Sequence, residues 1–336
     1  MSELNIFFIL LIPLSFFLFK TFIKFAQKLN LFDNPEKFSN HSQPTPTASG
    51  IIFICLLLIS YLFIIYLIYF SAHNIYLPNR HYLYIISILF LGILSFYDDI
   101  KSIHPIYRFV AHIIFVSAST PLLTENISFI LPEKLTLMII VFLWVFLINS
   151  FNFLDGSNGY LSVNSIFVFF GYLLVFLIDK NSLYNFNFII ITSLLIIIII
   201  YLYFNFPKAK IFCGDSGSIV IGYTVGYVFF DLFFKGYWFI ALALIIYPFL
   251  DVFLTIIIKT FNGKYPWERL FDYFFLKALK ASNNDHKKIF KISLIYNFIN
   301  FVFVALMIQT KIEEIFLLSF LCATIKLYYF KKITKF

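Results

Sequence analysis

The chain has 336 residues, of which 61% are hydrophobic, 22% aromatic and only 12% charged, with a formal net charge of +8. Soluble domains run roughly 45–50% apolar and about 25% charged, so a soluble enzyme of this size would expose more apolar surface than it could hide. The wealth of Phe, Ile and Leu excludes disorder, and 11 Gly with 11 Pro are too few for a low-complexity fibre, which leaves a polytopic membrane protein.

A spanning helix needs about 20 mostly apolar residues to cross roughly 30 Å of hydrocarbon. About eleven such stretches follow one another, near 4–24, 50–70, 81–97, 107–123, 135–151, 160–178, 186–206, 217–234, 236–258, 290–309 and 312–329. Runs such as Ile196 to Tyr203 do not alternate in polarity as membrane β-strands do. The expected class is all-α, with about eleven transmembrane helices. These stretches leave little chain over, so residues 1–336 read as one integral membrane domain.

With the N-terminus outside and the helices alternating, 18 of the 25 basic residues fall inside and five outside. That is a positive-inside bias. The basicity reports topology, and no nucleic-acid partner is expected. The first stretch does not read as a cleaved signal: only Ser2 and Glu3 precede its core, and its basic residues follow it. Cys55, Cys213 and Cys322 have no metal-ligand spacing and read as packed or solvated thiols.

Lipid-embedded chains avoid carboxylates, so each one is informative. Under this topology the patterned acidic clusters all lie on the inside face. The first comprises Asp33-Asn34-Pro35-Glu36 and the segment from His41 through Pro44-Thr45-Pro46 to Gly50. Asp98-Asp99 closes the third stretch, and Asn152-Phe153-Leu154-Asp155-Gly156-Ser157-Asn158-Gly159 follows the fifth. Gly214-Asp215-Ser216-Gly217-Ser218 opens the eighth, and a long basic loop runs from Lys259 to Lys291. Adjacent carboxylates raise one another's pKa unless a cation is near, so Asp98-Asp99 asks for a partner such as Mg²⁺. The Gly-rich start at 214 reads either as a capped helix with small packing residues or as free N–H groups offered to a phosphate. The Asp155–Gly159 segment reads either as plain turn chemistry or as part of a site.

In combination, the order DD, N-x-x-D-G-x-N-G and G-D-S-G-S on this helical frame resembles the polyprenyl-phosphate N-acetylhexosamine-1-phosphate transferase family. The resemblance covers about 33 to 291. It implies transfer of a sugar 1-phosphate, as an N-acetylated hexosamine, from a UDP-sugar to undecaprenyl phosphate. UMP would be released, and a lipid-linked surface polysaccharide begun. It also implies catalytic roles for Asp98 and Asp99 near the lipid phosphate, and a divalent ion, Mg²⁺ or in its place Mn²⁺, on Asn152 and Asp215. His41, Lys101, Arg108, Asp155, Asn158, Lys264 and His286 become the substrate-binding candidates. The implied setting is the bilayer of the cytoplasmic (inner) membrane, with the active site facing the cytosol and two copies pairing as a homodimer.

Several positions depart from the family pattern. The family's P-T-P-R-G-G-G segment has Thr47, Ala48 and Ser49 in place of its arginine and first two glycines, and a helix-borne glutamine is His112. In the last inside loop Asn262-Gly263-Lys264-Tyr265-Pro266-Trp267 resembles members that initiate O-antigen synthesis. The histidine cluster expected after it is replaced around Leu270 to Tyr273, leaving His286 as that loop's one histidine. A non-catalytic homologue and, from a different class, a secondary transporter with Asp251 as coupling carboxylate are the alternatives. For Asp251 itself a structural, hydrogen-bonded role is the expectation.

Overall fold

The computed structural model describes residues 2–35, 40–70, 81–124, 132–179, 182–265 and 272–334. The chain begins with α1 (Glu3–Lys28), a two-residue antiparallel pairing of β1 (Phe32–Asp33) with β2 (Thr45–Pro46), and α2 (Gly50–Phe70). Then come α3 (His81–Ile100), α4 (Pro105–Ser119), the single turn α5 (Pro121–Thr124), α6 (Glu133–Leu154), α7 (Tyr160–Ile178) and α8 (Phe186–Asn205). The series ends with α9 (Gly214–Phe234), α10 (Trp238–Phe261), the short α11 (Phe274–Ala281), α12 (His286–Thr310) and α13 (Phe316–Ile333).

Each of the eleven predicted apolar stretches is mainly helical, the fourth being divided at Thr120 into α4 and α5. Among the described residues nine of them are long and apolar enough to cross a membrane, fewer than the expected eleven. The two exceptions have simple causes. The 15 residues of α4 span only about 22 Å at 1.5 Å per residue. The 18 residues of α13 include Lys326, Lys331 and Lys332, and Lys326 is buried inside the bundle rather than facing lipid. The chain is therefore an all-α, multi-pass membrane protein.

The bundle is built around α9, whose spanning window is 89% buried. Close packing needs small residues where backbones approach, since lipid supplies little hydrophobic drive between helices. A Cβ on Gly226 would lie 2.1 Å from the Trp144 ring of α6, and one on Gly222 would lie 2.8 Å from the Ile148 carbonyl oxygen. Hydrogen bonds tie α9 to its neighbours along its length. The Trp144 indole donates to the Tyr223 carbonyl at 2.9 Å, Tyr84 and Thr224 hydroxyls meet at 2.8 Å, and the Tyr223 hydroxyl donates to Ser119 at 2.6 Å.

Because the helices alternate, the ends of α1, α3, α6, α8 and α10 meet the starts of α2, α4, α7, α9 and α12 at one face. There the chain stitches itself together. Thr47 donates to Leu31, Phe212 to Pro46 and Gly50 to Cys213, all backbone to backbone, at 2.8–3.2 Å. This lacing carries the 45–50 segment between the end of α1 and the start of α9.

Candidate active site

The patterned acids of the sequence gather in a cleft of about 490 Å³ at that laced face. Asp98, Asp99, Asn152, Asp155 and Asp215 all line it.

Asp99, at the end of α3, reaches the start of α9. Its carboxylate accepts from the Asp215 N–H at 2.8 Å, the Ser216 N–H at 3.2 Å and the Ser216 hydroxyl at 2.7 Å. Cys213, the residue that precedes α9, gives that helix no side-chain cap, so Asp99 supplies the cap from another helix. The approach is close because position 214 is glycine, with φ +69°, and a Cβ there would lie 2.4 Å from the Asp99 carboxylate. Of the two readings of this helix start, the structure favours the capped one. The N–H groups of Asp215 and Ser216 are taken by protein and are not free to receive a phosphate.

Asp98 has a different set of partners. Its carboxylate accepts from the Ile103 N–H and from the Arg108 guanidinium, each at 2.5 Å. The same Arg108 nitrogen also pairs with Asp215. Two acids from α3 and α9 thus share one cation from α4, and the Asp98 and Arg108 side chains are only 9% and 15% exposed. The adjacent aspartates are therefore balanced by protein groups, Asp98 by Arg108 and Asp99 by the positive end of α9.

Asn152 lies in the last turn of α6, where its Oδ1 accepts from the Ser218 hydroxyl of α9 at 2.8 Å. Oxygen donors from α6 and α9, Asn152 and Asp215, thus border one cleft. Among the described residues no group of three or more His, Cys, Asp or Glu could hold a metal. A site on Asn152 and Asp215 would take its remaining ligands from a diphosphate and water, which fits the hard, oxygen-rich and incompletely protein-bound shell that Mg²⁺ prefers.

Past α6, Asp155 is pushed up to about 8 by burial, with the carboxylates of Asp215, Asp99 and Asp33 adding to the effect and a hydrogen bond from Cys213 opposing it. That bond runs from the Cys213 thiol at 3.3 Å, and burial raises the thiol's own pKa as well. The turn from Asp155 to Gly159 is held from three directions. Asn40 donates to the Gly156 carbonyl at 3.0 Å, and the Gly159 N–H donates to Asn205 at 2.6 Å. His286 Nδ1 accepts from the Asn158 N–H at 3.2 Å and meets the Ser157 hydroxyl at 3.0 Å, while its Nε2 lies 3.0 Å from the Asn40 carbonyl. These partners define a neutral ring, accepting at Nδ1 and donating at Nε2. His286 borders the cleft as a tie between the 40s segment and the turn. Asn158 also donates to the Pro207 carbonyl at 3.2 Å.

His41 lines the same cleft, with Nε2 at 3.2 Å from Asp33 and Nδ1 at 3.0 Å from the Gln43 carbonyl. Lys101 and Lys264 are placed elsewhere. Lys101 is exposed and does not line the cleft, whose wall there is Ser102. Lys264 borders a second cleft, between α10, α11 and α13. The Pro266–Trp267 step and Leu270 lie outside the described residues.

Sequence reasoning missed Asn40, Asn205 and Cys213. Each is an unremarkable residue in sequence, and only its partner across the fold gives it a role. It also gave no sign of an apolar groove of about 650 Å³ between α4, α6 and α10. Phe109 and Phe153 line this groove; Phe153 follows the cleft residue Asn152, and Phe109 follows Arg108, the partner of Asp98 and Asp215. Asp251 lies outside the cleft and is hydrogen-bonded by Tyr247 and the Phe274 N–H, in keeping with the structural role expected of it.

Comparison with known proteins agrees with this arrangement. Residues 81–233 match the family described as glycosyl transferase family 4. The chain is 28% identical over 222 residues to the undecaprenyl-phosphate alpha-N-acetylglucosaminyl 1-phosphate transferase of Thermotoga maritima, covering 65% of this chain and 64% of that protein. It is 30% identical over 243 residues to a phospho-N-acetylmuramoyl-pentapeptide-transferase of Prochlorococcus marinus, covering 65% of each. A Leuconostoc citreum protein of the same name is 40% identical over 93 residues, 26% of this chain and 28% of that one. The aligned stretches thus cover less than two thirds of these relatives' own lengths. The matched segment runs from the start of α3 almost to the end of α9 and contains Asp98, Asp99, Asn152 and Asp215, the acids and the amide that line the cleft.

Proposed function

We propose that the protein transfers a sugar 1-phosphate from a UDP-N-acetylhexosamine to undecaprenyl phosphate, in the cytoplasmic membrane and with its cleft facing the cytosol. The observation that carries this reading is the meeting of Asp98, Asp215 and Asn152 in one cleft, with Arg108 bridging the two carboxylates, next to an apolar groove of about 650 Å³. An acidic cleft alone would suit many reactions. A charged cleft beside a lipid-facing apolar groove suits a substrate that is a phosphate at one end and a hydrocarbon at the other.

In this reaction a lipid phosphate oxygen forms a bond to the β-phosphorus of the nucleotide sugar, and the bond from that phosphorus to the UMP oxygen breaks. A phosphate monoester has its second pKa near about 6 and is largely dianionic at neutral pH, so attack needs orientation more than deprotonation. Asp98, held by Arg108, is the group suited to orient the lipid phosphate or take its last proton. Asp99 acts as a positioning residue: by capping α9 it sets where Asp215 stands. Mg²⁺ held by Asn152 and Asp215 would neutralise the diphosphate and ease departure of UMP. Asp155, Asn158 and His41 line the same cleft, where the nucleotide sugar would lie. Most of the rate enhancement then comes from placement and charge stabilisation.

The test is UMP release by the purified protein in detergent, with undecaprenyl phosphate and a panel of UDP-N-acetyl sugars. Release that needs both the lipid and Mg²⁺ is the expected result, and the best donor identifies the sugar. No release with any donor, from protein shown to be folded, would overturn the proposal. A phospho-sugar attached to the enzyme in the absence of lipid would overturn direct attack while leaving the overall transfer intact.

A further inference from the structure

The second cleft, of about 350 Å³, opens between α10, α11 and α13, whose ends there lie at the same face as the acidic cleft. Lys259, Lys264, Lys277 and Lys331 line it against one carboxylate, Asp272, which pairs with Lys277 at 3.5 Å. Two of the lining residues are deeply sunk, Thr255 at 3% and Lys259 at 4% exposure. They stand four apart on α10 and so share one face of the helix. The Thr255 hydroxyl is buried and, among the described residues, has no hydrogen-bond partner. Buried hydroxyls are nearly always partnered, and this one stands at the wall of a basic cleft, where a bound acceptor would complete it.

A phosphate oxygen is such an acceptor, and lysines bind phosphate as point charges. The surroundings distinguish a lipid phosphate from a soluble one. Ile258 at 43%, Phe261 at 88% and Tyr265 at 61% exposure stand at the end of α10 beside the lysines. Exposed apolar side chains at that level suit acyl chains and the headgroup boundary, whereas a free anion makes no use of them. Basic pockets between membrane helices are sites of this chemistry. We propose that this cleft binds the headgroup phosphate of an anionic glycerophospholipid from the leaflet at that face, with Thr255 and Lys259 at its base and Lys277 and Lys331 at its rim.

The experiment is native mass spectrometry of the full chain in detergent, titrated with phosphatidylglycerol or with zwitterionic phosphatidylcholine. Phosphatidylglycerol should be retained in preference and should raise the melting temperature. The double variant Lys277→Gln/Lys331→Gln should weaken its binding about twenty-five-fold, taking roughly fivefold per surface lysine. Thr255→Val keeps the shape of the side chain and removes its hydroxyl. It should weaken binding severalfold, and it carries the test alone should the double variant fail to fold. Equal retention of the two lipids, or undiminished phosphatidylglycerol binding in the folded variants, would overturn the site. Displacement of the lipid by millimolar inorganic phosphate would assign the cleft to a soluble anion and overturn the lipid reading.

Discussion

Asp99 and Asp251 each accept backbone N–H groups from the start of a helix other than their own, yet only one of them borders a cleft. Asp99 takes the opening N–H groups of α9, and Asp251 takes that of Phe274 in α11 at 2.9 Å. Around Asp251 everything is closed. The residue is 0% exposed, the Tyr247 hydroxyl donates to it at 2.7 Å, and Tyr247 in turn meets Tyr160 at 2.5 Å with Lys326 over its ring at 3.4 Å. Around Asp99 the neighbours Asp98, Asn152 and Asp215 face open space. Capping is thus the shared function of the two carboxylates. Chemistry depends on whether the capped helix presents further charged groups to a volume that substrate can enter.

This contrast can be broken by substitution, and the largest effect is expected at Asp215. Asp215→Ala should lower UMP release about a thousandfold, the scale on which a single group that stabilises developing charge acts, while the protein still inserts and melts near the wild-type temperature. Wild-type turnover in that variant would remove Asp215 from the reaction. Asp251→Ala should do the reverse. It leaves the Tyr247 hydroxyl and the Phe274 N–H without their buried partner, at a cost of about 3 kcal/mol. Thermal unfolding should report that loss, while specific activity of the surviving folded fraction stays within about twofold. Abolished turnover in a folded Asp251 variant would erase the distinction between the two aspartates.

Asp99→Ala falls between these cases. Loss of an N-cap costs about 1–2 kcal/mol, and the displaced start of α9 should lower turnover without raising KM for the lipid in proportion. The effect expected at Asp155 is confined to stability and depends on pH. Its carboxyl is held up to about 8, chiefly by burial, whereas an unfolded aspartate titrates near about 3.9. Folded protein therefore keeps a proton that the unfolded chain sheds, and stability falls as pH rises between those two values. Asp155→Asn should remove that loss. In metal-free detergent its melting temperature should exceed the wild type's at pH 8 and match it at pH 4, and a difference that does not vary with pH would refute the account.

Much of this protein is legible in its amino-acid order. Every predicted apolar stretch is mainly helical, because a helix satisfies within one segment the backbone groups that lipid cannot. The acids that line the cleft could be picked out for the same reason, since carboxylates are costly near hydrocarbon and stand out wherever they persist. The limits of that reading are visible at particular residues. Lys326 looks like a helix-end cation in sequence and is a buried partner of Ser293 and Asn297. Asp98 and Asp99 look like equivalents, and the fold gives one to Arg108 and the other to α9. His286, 128 residues from Asn158, becomes the support of a turn to which no spacing rule connects it. Periodicity and hydropathy act over a few turns of chain and so are written locally. Which carboxylate meets which N–H, and which lysine faces a cleft rather than the bundle, is settled by the packing of eleven helices against one another, where a contact between distant residues leaves no local trace.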